Sequence, residues 1–305
     1  MDPTRLTVAV PTRNRRETVL GALEAVVGQL RATDDLIVVD NGSTDGTRET
    51  VAASLAERFP TGRVVSEPGG GVSAARNAAL REASTEVVCF LDDDIRPAPD
   101  WLERMRHAWS TCSPRTASIG GPSQAEWLGE RPPWLTDHLL YVLAILDLGD
   151  QSHRLDQRPG RGFVWGGNMS LHVKAALEVG GFDPERGSRP GARHERGEEE
   201  DIQRRLAEAG WEIWYEPSVV VRHLVARERL TKPFFITFFR EQGLIDAARG
   251  RPRREGAVAL TGALARRAAF VVLRRPHATG ARFAAARAWA ALTGPRRPKA
   301  HEEAL

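Results

Sequence analysis

The sequence predicts an α/β fold with an open sheet, and two observations carry the prediction. Over roughly the first hundred residues, short apolar runs alternate with segments whose apolar residues recur every three to four positions, the signature of strands joined by crossover helices. Each of three apolar runs also ends in a polar cluster: Pro11-Thr12-Arg13-Asn14, Asp40-Asn41-Gly42-Ser43 and Asp92-Asp93-Asp94. The carboxyl ends of the strands in an open α/β sheet form the ligand crevice, so these clusters should converge.

Taken in order, residues 6–10, 36–39, 63–65 and 87–91 read as strands, and residues 17–27, 47–59 and 72–83 as amphipathic helices. A further helix is expected around 99–109. Residues 122–162 break the rhythm with Pro122, Pro132, Pro133 and Pro159, with Trp127 and Trp134, and with one apolar stretch at 139–148, so they read as an insertion. A second βα stretch follows: a strand at 163–171, a helix at 173–179, a Gly/Arg/Pro loop at 180–197 and a helix at 199–209 stopped by Gly210. Strands are expected near Ile213 and at 219–221. Beyond Thr231 the pattern is helical, interrupted at 250–252, near Pro276 and at Pro295. The expected organisation is a domain over 1–230, with 122–162 as a candidate acceptor region, and a helical tail over 231–305.

Composition narrows the classes. A chain of 305 residues with 41% hydrophobic content buries a full core, which excludes a disordered or fibrous protein. Cys89 and Cys112 are too few for a disulfide framework or a thiolate zinc site. The chain enters its first strand without an apolar leader, and no uncharged apolar run reaches spanning length, so a cytoplasmic location is expected.

The net charge of +3 conceals an asymmetry. Residues 226–300 hold 17 Lys/Arg against 4 Asp/Glu, about +13, and leave the remainder near −10. The motifs lie on the acidic side, which argues against nucleic acid as a partner. The basic tail suits an anionic surface at the inner face of a membrane. Phe234, Phe235, Phe238 and Phe239 at helical spacing beside Lys232 and Arg240 read as an interfacial helix, or as the closure of a core or a homodimer interface. Residues 257–273 are apolar, but Arg266 and Arg267 at their centre oppose insertion.

Several clusters offer chemistry. Asp92, Asp93 and Asp94 follow a buried strand, where hard oxygen ligands with open positions suit Mg²⁺ or Mn²⁺ bound with a diphosphate; a solvated turn capping the next helix reads equally well. Asp40, Asn41 and Ser43 supply a carboxylate, an amide and a hydroxyl in a tight turn that can hold a ribose or a base, or simply cap a helix. Gly69-Gly70-Gly71, before the helix carrying Ser73, Arg76 and Asn77, lets backbone amides approach phosphate or forms a flexible loop. Glu198, Glu199, Glu200 and Asp201 open a helix, where the macrodipole favours acids; four exceed what capping needs, and one turned to the crevice can take a proton. His223 stands after a strand. Trp165 and Trp211 flank the motifs and offer stacking faces or core packing.

In this order the pieces resemble the family 2 glycosyltransferases over about residues 5–225: VAVPTRNR, VVDNGSTDGT, GGGVSAARNAAL, FLDDD, WGGNMSL, GGFDP, GEEEDIQRRLAEAGW and YEP. The resemblance implies a GT-A fold, a Rossmann-like mixed sheet flanked by helices, and inverting transfer from a nucleoside-diphosphate sugar, UDP- or dTDP-linked, to a hydroxyl on a lipid-linked, saccharide or small-molecule acceptor. It implies that Asp40 and the Pro11-Thr12 backbone hold the nucleoside, with Arg13, Asn41, Ser43, Arg76 and Asp93 around the donor nucleotide. Asp92 faces the ribose and Asp94 the metal, with His223 as a further metal or diphosphate contact. Gly167, Asn168 and Trp165 lie near the transferred sugar. Glu199 falls at the base position, where the family more often has aspartate; Glu198 is its substitute, and Asp201 matches a positioning residue. Two rivals stand beside this reading. A nucleotidyltransferase wants a Gly-rich basic loop after the first strand, which Pro11-Thr12-Arg13-Asn14 is not. A non-catalytic sugar-nucleotide scaffold has no need of intact Asp94 and Glu199.

Overall fold

The computed structural model describes residues 5–156, 162–188, 196–248 and 283–289. Strands β1 (Thr7–Thr12), β2 (Asp35–Asp40), β3 (Arg63–Ser66) and β4 (Val87–Leu91) are connected by α1 (Arg16–Val27), α2 (Thr47–Arg58) and α3 (Val72–Glu82). They pair in parallel in the spatial order β3-β2-β1-β4. Burial on both faces explains why β1, β2 and β4 read as apolar runs rather than alternating patterns. Val8 and Val10 enter one core layer with α1, α2 and α4 (Trp101–Thr111), while Ala9 enters the other with α3, α5 (Val173–Glu178) and α6 (Glu198–Glu208).

The second half makes the sheet mixed. β9 (Asn168–His172) lies antiparallel between β4 and β6 (Thr116–Gly120), and β10 (Glu212–Tyr215) runs parallel to β6 with the short β8 (His153–Arg154) at the edge. A small second sheet has the order β5 (Ile95–Pro97), β11 (Val221–Val225), β7 (Ser123–Trp127).

Two expectations change. The strand expected over 163–171 begins only at Asn168, because Gly166 and Gly167 track the guanidinium of Arg76 and the carboxylate of Asp92 instead of a neighbouring strand. The strand expected at 219–221 starts at Val221 and continues to Val225, pairing antiparallel with β5. His223 is therefore in mid-strand opposite Ile95, not beyond a strand end.

By internal contacts the chain forms two compact units. The first comprises residues 1–126, 144–191 and 196–224 and contains the large sheet. The second comprises residues 127–143, 192–195 and 225–305, so much of the expected insertion groups with the C-terminal chain. Within this second unit, α7 (Lys232–Ala248) turns Phe235 and Phe239 inward, the first fully buried and the second nearly so. Phe235 meets Trp134 edge-on at 5.1 Å, and Phe283 lies 5.4 Å from both Phe235 and Phe239. The aromatic face expected to lie in a bilayer is thus partly spent on packing. No helix among the described residues is long and apolar enough to cross a membrane; residues 257–273 lie outside them.

Candidate functional site

The three polar clusters meet at the carboxyl edge of the parallel strands. Thr12 Oγ1 donates to Asp93 Oδ2 at 2.8 Å, the Asn14 amide donates to Ser43 Oγ at 3.0 Å, and the Thr44 amide donates to Asn14 Oδ1 at 2.8 Å. Register places Thr12 opposite Asp40, and Asn41 Oδ1 accepts from the Gly71 amide at 3.3 Å. Asp40 is buried. Its Oδ2 accepts from the Ser43 amide at 3.4 Å, while Oδ1 has no partner among the described residues. Because a buried carboxylate oxygen without a donor is costly, Oδ1 is suited to receive an N–H or O–H from a ligand. Pro11 is buried in β1, and Arg13 is half-buried just beyond its end.

Arg76 joins the two halves of the site. Its side chain is 3% exposed, yet it carries a full charge, which burial permits only with partners. Nη2 donates to Asp92 Oδ1 at 3.1 Å and Nη1 to Glu198 Oε1 at 2.9 Å, while the guanidinium lies 5.6 Å from the Phe182 ring centroid. Gly166 exists to admit it: a Cβ there would stand 2.3 Å from Nη2. A Cβ on Gly167 would likewise meet Asp92 Oδ2 at 2.9 Å. The glycine pair is therefore a cradle for the arginine and the aspartate.

The acids of α6 divide their roles. Gly197 takes φ 83° before the helix, a left-handed turn that favours glycine and starts the helix directly at Glu198. Burial, reinforced by the adjacent Glu198 charge and opposed by Arg76, raises Glu199 to about 8. Asp201 is engaged elsewhere: its oxygens accept from Arg204 at 3.0 Å and Arg205 at 2.8 Å, and Arg186 approaches to 3.4 Å. Arg205 in turn donates to the carbonyl oxygens of Val179 and Gly181. Asp201 consequently fastens α6 to the loop before it and has no free oxygen to offer a reacting proton.

On the other flank, Arg15 Nη1 is shared between Asp93 Oδ1 at 2.8 Å and Asp94 Oδ2 at 2.9 Å. Burial raises Asp93 to about 6, although Arg15 pulls it down. The second oxygen of Asp94 faces His223 Nε2 at 3.5 Å. Among the described residues no group of three or more His, Cys, Asp or Glu side chains forms a ready cage for a metal. One hard carboxylate beside one imidazole does fit Mg²⁺ or Mn²⁺ if phosphate oxygens and water complete the shell.

On the sugar side, the Asn168 amide is fully buried and satisfied: Nδ2 donates to the carbonyl oxygens of Pro122 at 3.1 Å and Val219 at 2.8 Å, and Oδ1 accepts from Trp101 Nε1 at 2.9 Å. Its side chain locks the start of β9 to its neighbours and has none of these contacts to spare for a sugar. Trp165 stands edge-on to Phe163 at 4.9 Å, and its buried Nε1 has no partner among the described residues. Trp211 stacks on His172 instead. Sequence reasoning passed over two participants. Arg15 is one of several arginines after β1 and carries no distinguishing pattern, while Gly166 was legible only as half of a glycine pair.

Comparison with known proteins adds identity to this geometry. A profile described as Glycosyl transferase family 2 matches residues 7–174. The chain is 23% identical over 217 residues to a glucosyl-dolichyl phosphate glucuronosyltransferase of Haloferax volcanii, covering 71% of this chain and 67% of that protein. It is 30% identical over 219 residues to a pre-mycofactocin glycosyltransferase of Mycobacterium tuberculosis, covering 72% of this chain but under half, 42%, of that longer protein. Among solved structures, a mannosyltransferase from Pyrobaculum calidifontis in complex with GDP-Man and Mn²⁺ superposes with a TM-score of 0.63 at 20% identity, covering 96% and 89% of the two chains. TarS of S. aureus in complex with UDP gives 0.54 at 16% identity, covering 78% and 65%. These structures share the GT-A fold with this chain.

Proposed function

The chain belongs to glycosyl transferase family 2, and from that premise we propose that it moves a sugar from a nucleoside-diphosphate sugar to an acceptor hydroxyl with inversion at the anomeric carbon, assisted by Mg²⁺ or Mn²⁺. The observation that carries this reading is the pairing of Arg76 with both Asp92 and Glu198. One buried guanidinium links, through separate nitrogens, the acid triplet at the end of β4 to the acid-rich start of α6. A donor held by the first therefore presents its sugar toward the second.

Asp40 Oδ1 accepts a donor N–H or O–H, and Thr12, Asn41 and Ser43 keep the surrounding turn in shape. Asp94 and His223 hold the cation, which when bound stabilises the negative charge gathering on the departing diphosphate, an effect worth several kcal/mol. Glu199 takes the proton of the acceptor hydroxyl as its oxygen bonds to the anomeric carbon; the bond from that carbon to the diphosphate oxygen breaks, and its electron pair leaves with the nucleoside diphosphate. A pKa raised to about 8 makes Glu199 a strong enough acceptor to act near neutral pH once ionised. Asp201 and its arginines fix the helix from which Glu199 works. We assign residues 1–230 to this catalytic domain and 231–305 to a C-terminal extension, although the compact units divide the chain differently, after Leu224 and with residues 127–143 grouped with the C-terminal unit.

The structural neighbours were solved in complex with GDP-Man or with UDP, so the donor base is best sought directly. Thermal shift of the full chain against a panel of UDP-, GDP- and dTDP-sugars with Mn²⁺ is the test, since a ligand at 100 times its Kd adds about 2.7 kcal/mol of apparent stability. A donor that shifts the melt and is then consumed in the presence of an acceptor supports the assignment; a panel that produces no shift with Mn²⁺ overturns it.

A further inference from the structure

Two arginines neutralise the acids of this site, and their surroundings differ. Arg76 is buried and stacked, with separate nitrogens on Asp92 and Glu198. Arg15 precedes α1, its side chain is 42% exposed, and a single nitrogen serves both Asp93 and Asp94. Asp93 keeps Thr12 on its other oxygen, so it remains anchored if the arginine leaves. Asp94 has His223 on the side away from the arginine. Arg15 thus covers one carboxylate oxygen of Asp94 while His223 faces the other.

A guanidinium and a dication repel when they share one carboxylate, so a cation at Asp94 weakens the hold of Asp94 on the tip of Arg15. The half-exposed side chain has room to swing. Its planar fork of donors matches phosphate oxygens, and a diphosphate brings negative charge to the cation's open side. We propose that Arg15 is a diphosphate-binding residue that waits on the Asp93–Asp94 pair and transfers to the donor when a divalent cation takes Asp94. The inference rests on the reading of Asp94 as a metal ligand in glycosyl transfer. Its consequence is coupled binding. Metal alone competes with Arg15, metal with a diphosphate gives Arg15 a new partner, and the enhancement is reciprocal between the two ligands.

The test is Mn²⁺ binding to the full chain, followed by the EPR signal of free aquo-Mn²⁺, with and without UDP or GDP, for wild type, Arg15→Met and Arg15→Lys. Arg15→Met should bind Mn²⁺ alone about tenfold tighter than wild type, and the nucleoside diphosphate should improve its Mn²⁺ affinity by a factor about tenfold smaller, within the usual span of coupling between sites. Arg15→Lys keeps the competing charge and should bind Mn²⁺ alone as weakly as wild type. Arg15→Gln repeats the Met measurement with a polar side chain should the Met variant melt early. An Arg15→Met protein with unchanged Mn²⁺ affinity, or with undiminished coupling, overturns the proposal. A wild-type chain that binds no Mn²⁺ even with UDP and GDP present removes Asp94 from the metal role, and this inference with it; the first kind of failure leaves that role standing.

Discussion

Replacing Arg76 by Met keeps most of the stem volume and deletes the charge, so its effect isolates the ion pairs. Glu198 is the partner that suffers, because its side chain is only 9% exposed and loses its cation. Asp92, at 39% exposed, rehydrates and contributes little. Stranding one buried charge costs about 3–5 kcal/mol, and the lost guanidinium contact with the Phe182 face adds about 0.5–2 kcal/mol. The expected loss is therefore at least ~3 kcal/mol near pH 8, a large share of the 5–15 kcal/mol typical of a domain. The sign of its pH dependence follows from Glu199, whose folded pKa is already raised and which Arg76 alone among the named influences of opposite charge pulls down. Without Arg76, Glu199 holds its proton to higher pH, and a raised folded pKa means stability kept in acid and lost as pH climbs. The deficit should shrink at pH 5, where Glu199 carries its proton and adds no second negative charge beside Glu198. Urea unfolding followed by circular dichroism at pH 5 and pH 8 measures both. A deficit under about 1 kcal/mol at pH 8, or one identical at the two pH values, refutes the description of Arg76 as the bond between the halves of the site.

Other outcomes follow from the same geometry. Glu199→Gln should leave donor binding intact and lower turnover by roughly 10²–10⁴-fold, measured by product formation at saturating donor. The same variant should gain stability over wild type as pH rises from about 4.5 toward about 8, because Gln escapes the cost of holding a raised carboxyl; parallel melts across that window check it. In wild type, kcat/KM should rise with pH toward a plateau above about 8 as Glu199 ionises, and a rate flat from pH 6 to 9 would remove it as the base. Asp94→Asn should abolish Mn²⁺-dependent donor affinity, read by thermal shift with and without the metal. Phe235→Ala should cost about 3–5 kcal/mol in urea unfolding, since its ring is fully buried against Trp134 and Phe283; a loss below 1 kcal/mol would return that face of α7 to solvent or membrane.

What the sequence made legible was local, and what it hid was the pairing of charges. Asp40, Asp92 and the Pro11-Thr12 turn were readable because each ends an apolar run, and the carboxyl edge of a parallel sheet follows from that periodicity alone. His223 was misplaced along its strand because β11 belongs to a small sheet whose partner β5 is three residues long and has no periodicity to read. Asn168 looked like a sugar ligand beside two glycines; only the tertiary contacts of Pro122, Val219 and Trp101 show its amide consumed inside the fold. The four acids of α6 were the hardest case. Dipole and i,i+4 arguments apply to all of them alike, so nothing in their spacing separates Asp201, tied to arginines, from Glu199, raised by burial. Burial and the neighbouring Glu198 make that separation, and Arg76, more than a hundred residues earlier in the chain, opposes it while facing the first turn of α6 from α3. On the same helix without that arginine, Glu199 would hold its proton to still higher pH. The candidate base was placed at Glu199 by the family resemblance, and the charges that surround it come from two helices brought together.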